Sequence, residues 1–201
     1  GLPGKPTMAE ELMVARDIKL ARHAGSKIHF TGISSPKSLE YIKRAKEGGI
    51  QVSCSITPYQ IYFCDEDLQG YDSNLKLNPP VRNRADMMLI RKALLDGTID
   101  CVASHHLPQP WDNKTCEFEY AKPGMISLET MFAVLTACGL PADDFVQMQT
   151  INVRQLFGLP IPEIAVGEMA SLTLFLPAAE FIFEETMIRS KSKNSPFIGK
   201  Q

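Results

Sequence analysis

Helix-like and strand-like segments alternate along the first half of the chain, and this order constrains the fold more than any other feature of the sequence. The spacing of apolar residues predicts helices over 7–24, 36–46 and 84–95, and short strands over 27–33, 50–56 and 99–104. Pro6 precedes the first helix, where Thr7 and Glu10 have the spacing of a capping box. Strands that are separated by single helices run parallel, so the sequence predicts an α/β fold.

The second half of the chain has a different pattern. Helices are predicted over 127–138 and 142–150, with Gly139-Leu140-Pro141 as the break between them. After Gly158-Leu159-Pro160, residues 170–176 and 180–186 alternate between polar and apolar side chains, which is typical of antiparallel strands. We therefore predict an α/β domain over 1–160 and a small β appendage over 161–201.

The composition limits the classes of function. A content of 44% hydrophobic and 22% charged residues is ordinary for a soluble globular protein. The net charge of −2 and the lack of a basic stripe argue against nucleic-acid binding, and no apolar run approaches the roughly 18 residues that a membrane span needs. The five cysteines share no C-x-x-C spacing, which favours reduced thiols. A cytoplasmic protein with a small-molecule or protein partner is expected.

Three consecutive motifs carry a more specific signal. They are Asn78-Pro79-Pro80-Val81-Arg82, Asp96-Gly97-Thr98-Ile99-Asp100 and Ser104-His105-His106-Leu107-Pro108-Gln109. Their order and spacing resemble those of the dihydroorotases, amidohydrolases of pyrimidine biosynthesis, in which N-P-P-L-R, D-G-x-I-D and T-D-H-A-P-H follow one another. Towards the end of the chain, residues 124–130 resemble G-I-I-G-L-E-T and residues 192–197 resemble S-K-N-T-P-F.

The resemblance implies a larger fold than this chain can build. A (β/α)8 TIM-type barrel takes roughly 250 residues, and only three barrel strands precede the β appendage. We therefore expect the C-terminal part of such a barrel over 1–160, in an incomplete chain that opens at Gly1 and Pro3. The segment 161–201 is expected to form part of a small β-sandwich, which in dihydroorotase-like proteins is built from both chain ends.

Catalysis in this family, as the resemblance implies, depends on zinc held by histidines and a carboxylate, and on an aspartate that binds metal and takes the proton. The family pattern H-x-x-H-x-S-T aligns with residues 29–35, so Gly32 stands in place of a metal-ligand histidine. The pattern D-H-A-P-H aligns with residues 105–109. His105 therefore stands in place of the aspartate, and Gln109 in place of a histidine that faces the substrate.

These replacements predict that no catalytic residue and no metal ligand lies in this chain. Tyr59 and Gln60 also depart from the paired histidines of the family's T-P-H-H, and Ser127 replaces a glycine. Asn78 is the one predicted substrate-binding residue, because its family counterpart binds a carboxylate-bearing ligand. Asparagine before two prolines is also a good turn former, so both roles stay open.

Other side chains allow two interpretations each. His105 and His106 could form a new metal site or could cap the strand, but adjacent strand residues point to opposite faces. Trp111, the only tryptophan, could pack across a vacated pocket or face a partner. The acidic residues 65–67 indicate a solvated loop. Arg189, Lys191 and Lys193 are more typical of an exposed strand edge than of an anion site.

Three functions follow as hypotheses. The first is a dihydroorotase-like protein that has lost zinc catalysis, takes no cofactor, and acts as a scaffold or regulatory partner for aspartate transcarbamoylase, as a homo-oligomer. The second is an active dihydroorotase or related cyclic amidohydrolase, whose zinc ligands lie largely before residue 1. The third is a sensor that keeps the Asn78 pocket and binds a pyrimidine precursor without turnover. Gly32 and His105 favour the first hypothesis.

Overall fold

The computed structural model describes Leu2 and residues 4–201, and within these residues it has six α-helices and three β-strands. The helices are α1 (Thr7–Ala24), α2 (Pro36–Glu47), α3 (Arg84–Leu95), α4 (Met131–Ala137), α5 (Ala142–Val146) and α6 (Val153–Phe157). The strands are β1 (Ile28–Phe30), β2 (Val52–Ile56) and β3 (Cys101–Val102). A π-helical turn, Gln147–Asn152, joins α5 to α6. Gly1 and Pro3, which open the predicted first domain, lie outside the described residues.

The three strands form one parallel sheet in the order β1-β2-β3, with a helix on the chain between each pair. Ile28 lies opposite Val52 in the first pair, and Ser55 lies opposite Cys101 in the second. The predicted alternation of helices and parallel strands is therefore confirmed. Since the carboxyl ends of parallel strands lie at the same edge, the segments after Phe30, Ile56 and Val102 meet there.

The helices pack one apolar face against the sheet. In α2, Leu39, Ile42 and Ala45 recur at helical spacing and are buried, and Ile42 is completely shielded from solvent. Burial of a leucine or isoleucine side chain stabilises a fold by about 1.5–3 kcal/mol. The start of α2 is set locally, because Ser35 accepts a hydrogen bond from the backbone N–H of Lys37.

The capping box predicted from Thr7 and Glu10 is wrong. Pro6 is the N-cap of α1, and Thr7 is already helical. The carboxylate of Glu10 instead accepts hydrogen bonds from the backbone N–H groups of Ser34 (3.1 Å) and Ser35 (2.9 Å). This tertiary contact ties α1 to the segment after β1, and local spacing does not reveal it.

The predicted strands over 170–176 and 180–186 are not formed. Residues 161–201 are all described, and their one regular element is a 3-10 turn over Glu185–Met187. The backbone of Phe183 pairs with the chain end, donating to Lys200 O (2.8 Å) and accepting from Gly199 N (2.8 Å). A strand needs a partner backbone along its whole length, and an alternating pattern does not supply one.

The last twenty residues nevertheless pack on the α/β core. Phe183, Ile188 and Phe197 are buried in the same hydrophobic cluster as Ile56 and Leu135. The domain boundary near residue 160 stays a prediction. In the described part of the chain, no helix combines the length and the hydropathy that crossing a membrane requires.

Candidate site at the carboxyl ends of the strands

Polar side chains run along one face of the sheet towards its carboxyl edge. His29 lies between two serines of β2, with Nδ1 2.8 Å from Ser53 Oγ and Nε2 3.3 Å from Ser55 Oγ. Ser55 donates to Thr31 Oγ1 (3.1 Å), and Thr31 Oγ1 lies 2.8 Å from His105 Nε2. The result is a continuous hydrogen-bonded chain from His29 to His105. Sequence reasoning missed it, although the spacing of two residues within each strand indicates a shared face.

Gly32 and His105, the two positions that depart most from the family pattern, are in direct contact. Gly32 has a positive φ of 72°, and a Cβ built on it would lie 2.5 Å from Cε1 of the His105 imidazole. His105 itself adopts a left-handed backbone with φ of 44°. The imidazole of His105 therefore fills the space into which a side chain at position 32 would project.

Burial disfavours the charged form of the His29 and His105 imidazoles. Desolvation lowers the pKa of His105 below its usual value, and it is the largest cause of the lowered pKa of His29 as well. A neutral imidazole carries neither the negative charge nor the acid-base range of an aspartate carboxylate.

His106 serves a different structural role from His105. Its Nδ1 accepts hydrogen bonds from the backbone N–H groups of Ser127 (3.1 Å) and Leu128 (3.3 Å), while Ser127 Oγ donates to Ser104 O (2.5 Å). The two histidines therefore bond to different partners, Thr31 for His105 and the backbone of residues 127–128 for His106. These contacts hold residues 127–130 in a turn, so α4 begins at Met131 and not at Ser127 as predicted.

Gln109 is committed to the loop that follows β3. Its Nε2 donates to Pro123 O (3.0 Å), and its Oε1 accepts from Asn113 Nδ2 (3.0 Å). Its backbone N–H donates to Oδ1 of the buried Asn194 (3.2 Å), whose Nδ2 donates to Leu107 O (3.1 Å). Gln109 and Asn194 thus hold the loop closed. The sequence indicates Asn194 only as a member of the matching motif over 192–197.

Asn78, the predicted substrate-binding residue, is exposed and has a partner within the chain. Its Oδ1 accepts from Nζ of Lys5 at 2.9 Å. Arg82 lies next to it, donating to Lys5 O (2.7 Å) and to Ser34 Oγ (3.0 Å). The Pro-Pro turn is thus fastened to the segment before α1. A ligand contact at Asn78 stays a prediction.

Tyr59 and Gln60 act as packing residues. Tyr59 is buried, and desolvation raises its pKa to about 12. Gln60 Nε2 donates to Gly32 O (3.2 Å), and Gln60 Oε1 accepts from Thr57 N (3.1 Å). Gln60 thus ties the carbonyl of Gly32 to the segment after β2.

The residues at the strand ends do not form the set of imidazole and carboxylate ligands that a catalytic zinc takes. Gly32 offers no donor, and of the two ring nitrogens of His105 one, Nε2, is hydrogen-bonded to Thr31. Over the described chain, the one group of three potential ligands is Cys64, Asp65 and Glu66, whose ligand atoms lie within 4.8 Å of one another. Asp65 and Glu66 are exposed, as predicted, but they begin a 3-10 helix, Asp65–Gly70, and not a loop.

Comparisons with known proteins agree with this architecture. The profile of the amidohydrolase family matches residues 3–193. The chain is 38% identical to the dihydroorotase of Geobacter sp. (strain M21), over 99% of this chain and 48% of that protein. It is also 38% identical to the dihydroorotase of Geotalea daltonii, over 100% of this chain and 48% of that protein. The chain thus spans about half the length of these curated relatives.

Solved structures show the same fold. A D-hydantoinase, 24% identical, superposes with a TM-score of 0.84 over 97% of this chain and 46% of its own. The L-hydantoinase of Arthrobacter aurescens, 25% identical, superposes with a TM-score of 0.71 over 77% of this chain and 36% of its own. The prediction that this chain forms part of a TIM-type barrel is confirmed.

Proposed function

The chain belongs to the amidohydrolase family and is dihydroorotase-like, and from this premise we propose that it is part of a protein of pyrimidine biosynthesis that has lost zinc catalysis. In this proposal the protein acts as a non-catalytic scaffold or regulatory partner. It takes no zinc at the strand ends described above.

The contact between Gly32 and His105 carries the proposal. A histidine at position 32 would need the space that the His105 imidazole already fills, since even a Cβ there would lie 2.5 Å from Cε1. The exchange at position 105 removes the family's carboxylate, and its imidazole blocks the place of the family's ligand at position 32. The loss of the carboxylate at position 105 and the loss of the histidine at position 32 are therefore linked, and reverting one position alone does not rebuild a site.

A second candidate is an active dihydroorotase or related cyclic amidohydrolase. The 38% identity to curated dihydroorotases along the whole chain favours it. The lowered pKa of His105 also favours it, because a neutral imidazole is a metal ligand. In this case the remaining zinc ligands come from outside this chain.

Zinc content and turnover of the full-length purified protein separate the two candidates. We expect no zinc by elemental mass spectrometry and no hydrolysis of dihydroorotate. Near-stoichiometric zinc together with turnover would sink the non-catalytic proposal.

Reverting the two positions sharpens this test. We expect the double variant Gly32→His/His105→Asp to take up more zinc than the wild-type protein, and the single variant Gly32→His to take up none. Gly25→His is the matched control, because Gly25 also has a positive φ, of 61°, but has nothing within 4 Å of its Cβ position. Equal zinc uptake by the single and double variants would contradict the argument from the Gly32–His105 contact.

The proposal also includes a partner and a location. Aspartate transcarbamoylase, a companion of dihydroorotases in the same pathway, is the proposed partner, and a pyrimidine precursor bound without turnover near Asn78 is the weaker option. A cytoplasmic location is supported by the five cysteines, all of which are free thiols.

A further inference from the structure

Five polar side chains of the sheet and of the residues just after it form one unbranched series of hydrogen bonds. In order they are Ser53, His29, Ser55, Thr31 and His105, and we call them the histidine network. Successive polar atoms in this order lie 2.8 Å, 3.3 Å, 3.1 Å and 2.8 Å apart. The two imidazoles are therefore joined through two hydroxyl groups, those of Ser55 and Thr31.

Packing holds both imidazole rings in place. The ring of Phe157 packs edge to face with His29, with centroids 5.5 Å apart. Gly32 covers the Cε1 edge of His105, since a Cβ built on Gly32 would lie 2.5 Å from Cε1, 3.2 Å from Nδ1 and 3.3 Å from Nε2. Because the rings are held, the freedom that remains to each neutral imidazole is the choice of the nitrogen that carries its proton.

The donors and acceptors of the histidine network must all run in one direction. A hydroxyl has one proton to donate, and a neutral imidazole has one N–H and one acceptor nitrogen. Ser55 donates to Thr31 Oγ1, so the Thr31 proton is left for Nε2 of His105. By the same count, Ser55 Oγ accepts from Nε2–H of His29, and Nδ1 of His29 accepts from the Ser53 hydroxyl.

The two histidines consequently carry their protons on different nitrogens, His29 on Nε2 and His105 on Nδ1. Reversal of the network would place these protons on Nδ1 of His29 and on Nε2 of His105, while the hydroxyls of Ser55 and Thr31 turn about their C–O bonds. Each imidazole would give one proton to water and take one from water, so no charge changes. If one histidine changed its tautomer alone, two donors or two acceptors would face each other within the network.

We propose that His29 is a positioning residue for His105, because through the hydroxyls of Ser55 and Thr31 it fixes which ring nitrogen of His105 carries the proton. The proposal rests on contacts inside the sheet, and it goes beyond the proposed function without depending on it.

The direction of the histidine network decides what His105 can bind. With the proton on Nδ1, this nitrogen donates to an oxygen acceptor such as a carbonyl or a carboxylate. In the reversed network Nδ1 has a lone pair, which a metal ligand requires. The second candidate function therefore needs the reversed network.

Nuclear magnetic resonance of the full-length protein with ¹⁵N-labelled histidine tests the linkage. At about pH 8 the lowered pKa values of His29 and His105 leave both imidazoles neutral. Long-range ¹H–¹⁵N correlation then distinguishes a ring nitrogen that carries a proton from one that does not, and loss of signals in His29→Phe and His105→Phe assigns each ring. We expect protons on Nε2 of His29 and on Nδ1 of His105. Protons on the same-named nitrogen of both rings overturn the proposal.

Variants test whether His29 acts through the hydroxyls. In His29→Phe and in Ser55→Ala we expect His105 to exchange between both tautomers, so that the ¹⁵N shifts of its two ring nitrogens move towards each other. We expect His29→Gln to keep the wild-type shifts of His105, because the amide N–H can donate to Ser55 in place of Nε2. Ser38→Ala is the matched control, at another buried serine, which lies in α2 and outside the histidine network.

The outcomes separate this inference from the proposed function. Wild-type shifts of His105 in His29→Phe or in Ser55→Ala, or equal changes in Ser38→Ala, overturn the positioning role of His29. The reversed pair of tautomers in the wild-type protein supports the linkage and matches the second candidate function. Zinc content and turnover measured on the same preparation test the non-catalytic role, whatever the tautomers are.

Discussion

Replacing Gly32 with alanine tests the packing at the strand ends most directly. Two effects add in this variant. The positive φ of 72° costs an L-residue about 1–2 kcal/mol. The new Cβ, 2.5 Å from His105 Cε1, must also displace the imidazole, and such overpacking costs about 1–3 kcal/mol. We therefore expect the free energy of unfolding to fall by about 2–5 kcal/mol.

Two comparisons separate these effects. Gly25→Ala has a similar φ of 61° with nothing within 4 Å of the Cβ position, so it should lose only the backbone part, about 1–2 kcal/mol. In a His105→Ala background, Gly32→Ala should also lose only this part, because the imidazole is gone. The assay is urea unfolding of the full-length protein, arranged as a double-mutant cycle. If Gly32→Ala costs the same with and without His105, the imidazole does not fill that space.

Three further predictions follow from single contacts. Asn194→Ala removes hydrogen bonds to Gln109, Leu107 and Gly124, so we expect urea unfolding to show a loss of about 2–4 kcal/mol, with little loss for Ser192→Ala in the same segment. The pKa values of His29 and His105 are lowered, so the unfolded chain binds protons at higher pH than the folded chain. We therefore expect the free energy of unfolding to be at its full value above about pH 6.5 and to fall as the pH drops below it. His29→Gln/His105→Gln should flatten this dependence in urea unfolding measured from pH 7.5 to 5. At pH 8, iodoacetamide should alkylate Cys116 before the other cysteines, as followed by peptide mass spectrometry. The reason is that burial raises the pKa of Cys54 to about 12 and that of Cys101 to about 11. Rapid labelling of Cys54 would contradict this burial.

The α/β part of the fold could be predicted because its signals are local. The apolar faces of α2 and α3 recur at helical spacing, and their N-caps, Ser35 and Asn83, are visible in the sequence. The C-terminal strands could not be predicted in the same way. The segment 170–176 has the alternation of a strand, but strand formation depends on a neighbouring backbone, which no pattern within the segment reports.

The sequence identified the residues of the candidate site, but it did not reveal the contacts between them. Comparison with the family pattern identified Gly32 and His105 separately. Nothing in the sequence indicated that the side chain of one fills the place of the other, since the contact joins the ends of β1 and β3 across β2. The pairing of Asn78 with Lys5 is equally non-local, because it depends on how the segment before α1 returns to the Pro-Pro turn.

The replaced positions differ in how far the chain satisfies their polar groups. A substrate site keeps polar groups that wait for a ligand, and these groups lower stability until the ligand satisfies them. Both polar ends of the Gln109 side chain already have partners in the loop, and Gly32 leaves no side chain to satisfy. Among the described residues, His105 has a hydrogen-bond partner at Nε2, which is Thr31, and none at Nδ1. The contacts of Gln109 and the exchange at Gly32 therefore support a frame retained for its shape, whereas the unpaired Nδ1 of His105 favours the second candidate function.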